Sequence, residues 1–90
     1  MATVIIVSKL MPESPDTDLE EIKIEAEKLL KAQSAKSIKF EEKPIAFGLK
    51  AIFVTIEIPE DKGSEIVESE LAKIPHVSSV TIEDYRRAFG

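Results

Sequence analysis

The chain has 90 residues, room for one domain, and a single domain spanning 1–90 is expected. Twelve Lys and Arg against 17 Asp and Glu leave a net charge of −5, which disfavours general nucleic-acid binding. The absence of cysteine excludes a disulfide framework, a thiolate metal site and a Cys nucleophile together, while 43% hydrophobic residues support a buried core.

Near the start, Val4-Ile5-Ile6-Val7 is a short apolar run without the basic region or cleavage site of a signal peptide. No apolar stretch approaches the ~18 residues of a membrane span, so a cytoplasmic location away from membranes is expected. Thr3 to Leu10 is rich in β-branched residues and ends at Met11-Pro12, which predicts a strand with apolar groups on both faces. Glu13-Ser14-Pro15-Asp16 is a turn cluster before a helix. Thr17 with Glu20 fits a capping box, and Asp18 with Glu21 fits it equally well. Leu19, Ile22, Ala26, Leu29 and Gln33 form one helical stripe, broadened by Leu30, with Glu27 and Lys31 as an i,i+4 pair.

Ser37 to Glu41 alternates as a half-exposed strand before Pro44 interrupts it. A short loop, Pro44-Ile45-Ala46-Phe47-Gly48, precedes a strand from Leu49 to Ile58. There Ile52, Val54, Ile56 and Ile58 face one way and Ala51, Phe53, Thr55 and Glu57 the other. After the turn Pro59 to Gly63, Ser64 is expected to cap a second helix that buries Val67, Leu71 and Ile74 and stops at Pro75. Val77 to Asp84 reads as the last strand, with Val80 and Ile82 on one face. This β-α-β-β-α-β order, with right-handed crossovers, predicts a ferredoxin-like α+β sandwich: a four-stranded antiparallel sheet with both helices on one face.

That fold hosts many functions, so the side chains must discriminate. The loop after the first strand lacks the Cys-x-x-Cys of heavy-metal carriers. Its stretch from Met11 to Asp18 also lacks the anion-binding arginine of an acyl phosphatase. Phe53 is the lone aromatic on the two central strands, too few for base stacking. Glu20 and Glu21 face different ways on the helix, so the early carboxylates read as helix-start electrostatics rather than a metal site. His76 reads as a surface turn residue with no nucleophile beside it. No covalent catalytic residue, metal ligand or cofactor is expected.

Two segments depart from ordinary loop chemistry. Pro44 to Lys50 places large apolar residues in a hairpin connection, and Phe47 at its tip is either tucked under the sheet edge or offered to a partner. Tyr85-Arg86-Arg87-Ala88-Phe89-Gly90 puts two positive charges and two aromatics at the end of an acidic chain, where a frayed tail is the plain expectation.

Met11-Pro12-Glu13-Ser14-Pro15, then Pro44-Ile45-Ala46-Phe47-Gly48-Leu49-Lys50, then Asp84-Tyr85-Arg86-Arg87, resemble the archaeal form of translation elongation factor 1-beta over essentially the whole chain. The resemblance implies a guanine-nucleotide exchange factor that promotes GDP release from elongation factor 1-alpha, meeting that GTPase in its GDP-bound and nucleotide-free states. Eukaryotic relatives carry a related Gly-aromatic-Gly-Ile-Lys segment, and a lysine near their C-terminus reaches the Mg²⁺ and phosphate-loop region of the GTPase. Aligned through the last strand, that lysine falls on Arg87, with Arg86 beside it, and arginine is a wider, planar donor than an ammonium. The resemblance further implies partner contacts through Phe47, Gly48, Ile45, Pro44, Lys50 and Phe89, and a monomer when free. A ligand-sensing or dimerisation module using the open sheet face is the alternative.

Overall fold

Alternation decides the architecture. In β1 (Thr3–Pro12) the side chains of Val4, Ile6 and Leu10 turn to one face, and in β3 (Lys50–Pro59) those of Ile52, Val54, Ile56 and Ile58 do the same. A computed structural model, describing residues 2–88, shows these two strands paired at the centre of the sheet, Ile6 opposite Ile56 and Leu10 opposite Ile52. Their apolar face is covered by Ile22, Ala26 and Leu30 of α1 (Leu19–Ala32) and by Val67 and Leu71 of α2 (Gly63–Leu71). Each fully buried Val, Leu or Ile side chain in this layer contributes about 1.5–3 kcal/mol.

Two edge strands complete the sheet, β2 (Ser37–Pro44) against β3 and β4 (Val77–Arg87) against β1. The order is β2-β3-β1-β4 with every neighbouring pair antiparallel, which is the expected ferredoxin-like sandwich. The second sheet face carries no helix and presents Ile5, Val7 and Lys9 of β1 beside Phe53, Thr55 and Glu57 of β3.

The structure chooses between the two candidate caps of α1 and moves several other boundaries. Asp18 rather than Thr17 caps α1: its Oδ1 accepts from the backbone N–H of Glu20 at 3.1 Å and of Glu21 at 3.4 Å. The Thr17 hydroxyl instead accepts from the Ser14 backbone N–H at 3.2 Å, closing the preceding turn. Ser64 does not cap α2. That helix opens at Gly63, whose φ of 70° suits a residue without a Cβ, and no side chain caps it. It ends at Leu71, before Pro75, and Ile74 still reaches the core because three more turn-like bonds carry the chain round. Strand β2 runs on to Pro44, which as an edge-strand end has no ladder donor to lose.

The β2 edge is fastened to α1 by an ion pair. Lys23 Nζ lies 2.5 Å from Glu42 Oε2 and 3.0 Å from Glu20 Oε2, and the Lys23 and Glu42 side chains are mostly covered. The hydrogen bond from Lys23 pulls the Glu42 carboxyl below its ordinary pKa, and the bond to Glu42 raises that of Lys23. A depressed carboxylate contributes stability above its unfolded pKa and loses it as pH falls through the folded one. A raised lysine contributes below its unfolded value and loses that as pH rises through the folded one. Glu42→Gln is therefore expected to lower stability by about 0.5–1 kcal/mol near neutral pH. The deficit should shrink as pH falls below the ordinary glutamate range. Urea denaturation of both proteins across that range checks it, and a deficit unchanged in acid contradicts the assignment.

Candidate functional site

Antiparallel pairing sorts the loops into two groups. The turn after β1, the β2–β3 hairpin and the turn before β4 all lie at one end of the sheet, because Pro12 stands opposite Val77 and Pro44 opposite Lys50. The N-terminal residues, the β3–α2 turn and the last residues of β4 lie at the other end, where Val4 stands opposite Arg87 and Thr3 opposite Pro59.

At the first end the hairpin closes with a 3-10 turn over Ala46–Gly48. The Ile45 N–H donates to the Leu49 carbonyl at 2.8 Å and the Leu49 N–H to the Ala46 carbonyl at 3.2 Å. To make that turn two consecutive residues adopt left-handed backbone, Phe47 at φ 63° and Gly48 at φ 76°. Glycine does this freely, whereas a bulky aromatic does so at a steric cost. The result is that Phe47 is 92% exposed, so of the two readings left open the tucked one is excluded. Ile45 and Leu49 are half-buried beneath it, and Pro44 and Lys50 are exposed.

The turn after β1 is a neighbour of this hairpin. Pro12, Ser14, Pro15, Thr17 and Leu19 line a shallow cleft with Gly48 and Lys50. The first two segments that carry the family resemblance are thus brought together in space. His76 sits on the same end in an exposed turn, its backbone carbonyl accepting from the Glu13 N–H at 2.9 Å and its Nδ1 lying 3.3 Å from Glu13 Oε1.

The third segment is elsewhere. Tyr85, Arg86 and Arg87 are not a frayed tail but part of β4, opposite Ile6, Ile5 and Val4 of β1, and the strand runs three residues past the expected end at Asp84. The reason is non-local: β1 begins at Thr3 and supplies backbone partners that far, and the Ala88 N–H adds a bond to the Thr3 carbonyl at 2.9 Å. Phe89 lies outside the described residues. From Val4 to Pro12 is eight strand steps, about 26 Å at ~3.3 Å per residue, so Phe47 and the arginines are separated by the length of the sheet.

Successive strand residues point to opposite faces, so the two arginines diverge. Arg86 shares the open face with Ile5, and Arg87 shares the helix-bearing face with Val4. Each has a carboxylate. Asp84 Oδ2 accepts from Arg86 Nε at 3.0 Å and from its terminal nitrogen at 2.5 Å. Glu60, in the β3–α2 turn, accepts from a terminal nitrogen of Arg87, a bond that raises the Arg87 pKa above its already high value. The partnership of Arg86 with Asp84 is visible in the sequence as a strand pair two apart. That of Arg87 with Glu60 spans 27 residues and becomes visible only once the register is known.

The open sheet face is poorly suited to stacking bases, since the Lys43 ammonium sits 4.6 Å from the centre of the Phe53 ring. Among the described residues no group of three or more His, Asp or Glu side chains is arranged to hold a metal ion, and no helix is long and apolar enough to cross a membrane. Ser8 Oγ, buried on the core face beside a bulge in β4, has no hydrogen-bond partner among the described residues.

Fold and surface together describe a small ferredoxin-like domain that presents an exposed aromatic at one end and carboxylate-held arginines at the other. The chain belongs to the family described as the EF-1 guanine nucleotide exchange domain, which it matches over residues 5–88. It is 44% identical over 90 residues to elongation factor 1-beta of Methanocella arvoryzae, covering 99% of this chain and 100% of that one. The same factor of Methanobrevibacter smithii is 43% identical over 88 residues (97% and 98% covered), and that of Methanocaldococcus jannaschii is 40% identical over 85 (92% and 96%). Guanine-nucleotide exchange in translation elongation is the function this membership establishes. A solved structure, the apo C-terminal domain of a cyclometallase involved in the synthesis of the NPN cofactor of lactate racemase, superposes with a TM-score of 0.67 at 12% identity. It is covered over 58% of its length and 99% of this chain, and the likeness shows the fold alone.

Proposed function

We propose that this chain accelerates GDP release from elongation factor 1-alpha by docking through the Phe47 hairpin and bringing the arginine end of the sheet to the nucleotide site. The observation that carries the reading is Phe47 itself, a 92% exposed aromatic held in left-handed backbone at a loop tip. An apolar ring kept in water at a steric cost fits a residue whose burial comes with a partner. Gly48, Ile45, Pro44 and Lys50 complete the contact, and Phe89 belongs to it by resemblance. With the two ends about 26 Å apart, the factor meets the GTPase at two places and acts as a rigid spacer between them.

The chemistry is one of differential binding, with no covalent bond made or broken by the factor. It binds the nucleotide-free GTPase more tightly than the GDP-bound one and so draws population toward the empty state. By linkage, nucleotide expels the factor as strongly as the factor expels nucleotide. Turning a 1:99 equilibrium into 99:1 takes about 10⁴-fold differential affinity, which an anchor plus a charged insertion can supply. The factor works in the cytoplasm as a monomer when free, with neither nucleic acid nor a cofactor as its direct ligand.

Release of a fluorescent GDP analogue from elongation factor 1-alpha tests this. The rate is expected to rise with factor concentration, and size-exclusion chromatography should show a one-to-one complex that added GDP dissolves. No acceleration, or a complex indifferent to GDP, overturns the proposal. A free chain that elutes as a dimer with no affinity for the GTPase would favour an assembly module instead.

A further inference from the structure

We infer that Glu60 is a positioning residue for exchange, holding the Arg87 guanidinium at the end of the sheet in the orientation it needs at the partner's phosphate-binding region. This rests on the reading that Arg87 acts at the nucleotide site. The geometry behind it begins with the backbone. The Glu60 N–H donates to the Ala2 carbonyl at 3.1 Å, and the Ala88 N–H, directly after Arg87, donates to the Thr3 carbonyl at 2.9 Å. The β3–α2 turn and the end of β4 are thereby pinned to consecutive residues, Ala2 just before β1 and Thr3 at its start. Their side chains meet across that fixed gap, Arg87 donating to Glu60 Oε1.

The two arginines are held differently. Arg86 lends both Nε and a terminal nitrogen to Asp84, its neighbour two residues back on the same strand face, so one edge of its fork is occupied. Among the described residues, Arg87 meets Glu60 through a single terminal nitrogen. A guanidinium has five N–H donors, so this contact fixes the group's direction and leaves the rest of the fork available for an anion. Arg87 is 68% exposed and long-chained, and without Glu60 it would sample many rotamers before each productive encounter. An exposed pair of this kind contributes little to stability, and its effect is pre-organisation.

A double-mutant cycle in the GDP-release assay, using the whole chain and elongation factor 1-alpha, tests the inference. Glu60→Ala is expected to slow exchange about two- to fivefold. The loss should fall on the maximal rate, with half-saturation little changed because Phe47 is untouched. Glu60→Gln, which keeps an acceptor oxygen, should recover most of the activity. In an Arg87→Ala background, Glu60→Ala should do nothing further. If Arg87→Ala slows exchange but Glu60→Ala does not, the positioning role is wrong while the reading of Arg87 stands. An equal loss with and without Arg87 also overturns it, because Glu60 would then act through the fold. Wild-type exchange by Arg87→Ala removes the underlying reading and this inference with it.

Discussion

The variant carrying both Arg86→Ala and Arg87→Ala is expected to release GDP from elongation factor 1-alpha at least about tenfold more slowly than wild type. A hydrogen bond to a charged group contributes about 1.5–3 kcal/mol, which converts to roughly ten- to a hundredfold in rate. Both side chains are exposed, at 69% and 68%, so the loss should appear with the thermal unfolding transition nearly unchanged. The single variants should be unequal. Arg86 and Arg87 point to opposite faces of β4, so a partner that closes on one face of the sheet meets one of them first. Arg87, on which the family resemblance places the lysine of eukaryotic relatives, is held by one nitrogen and is expected to account for most of the effect. Arg87→Lys separates charge from shape: a partial loss means that the planar fork matters, and full activity means that a point charge is enough. Salt should slow wild type more than the double variant, because exposed charge contacts are screened. Exchange by the double variant at the wild-type rate ends the idea that either arginine acts at the nucleotide.

The face assigned to each arginine illustrates where the sequence stops being legible. The sandwich itself could be read from local signals: the β-branched alternation of Leu49 to Ile58, the helical stripe from Leu19 to Leu30, and turn residues between them. Val80 and Ile82 were legible as one face of the last strand, and they do pack against the core. Extending that alternation would put Arg86 with them. It does not lie there, because a bulge leaves Ile82 opposite Ser8 and Asp84 opposite Val7, with Glu83 as the additional residue. One inserted residue reverses every side chain beyond it, so Tyr85 and Arg87 take the helix-bearing face and Arg86 the open one. No glycine or proline announces the bulge. It is a property of the pairing with β1, some 75 residues earlier in the chain, as is the ordered state of Tyr85 to Arg87.

The same limit explains the two-ended arrangement. Met11 to Pro15, Pro44 to Lys50 and Asp84 to Arg87 stood out as segments, and nothing local said which of them would meet. Antiparallel pairing gathers the first two and sends the third to the far end. The exposure of Phe47 was likewise open, because an aromatic beside glycine is compatible with either a buried or an exposed tip. Left-handed backbone at two successive residues resolves it by turning the ring outward.

That backbone also makes Phe47 the place where stability and function should separate. Phe47→Ala is expected to weaken binding to elongation factor 1-alpha by about 2 kcal/mol or more, roughly thirtyfold in Kd, as removal of an interface anchor does. The circular-dichroism spectrum and unfolding midpoint should stay near wild type, since a ring that is 92% exposed contributes almost nothing to the core. Phe47→Gly sharpens the test. Glycine occupies φ 63° without a Cβ penalty, so relief of strain of order 1 kcal/mol opposes the extra freedom glycine gives the unfolded chain. Stability of Phe47→Gly should therefore equal or exceed that of Phe47→Ala, which keeps the strain and loses the ring, while both bind the GTPase equally poorly. Titration of the GTPase with each variant, beside urea denaturation of each free protein, reads the two quantities independently. Wild-type affinity in Phe47→Ala would remove the anchor, and loss of the folded signal would place the ring in the core. If both variants instead bind weakly while remaining folded, the exposed ring is held in place for the partner and not for the fold.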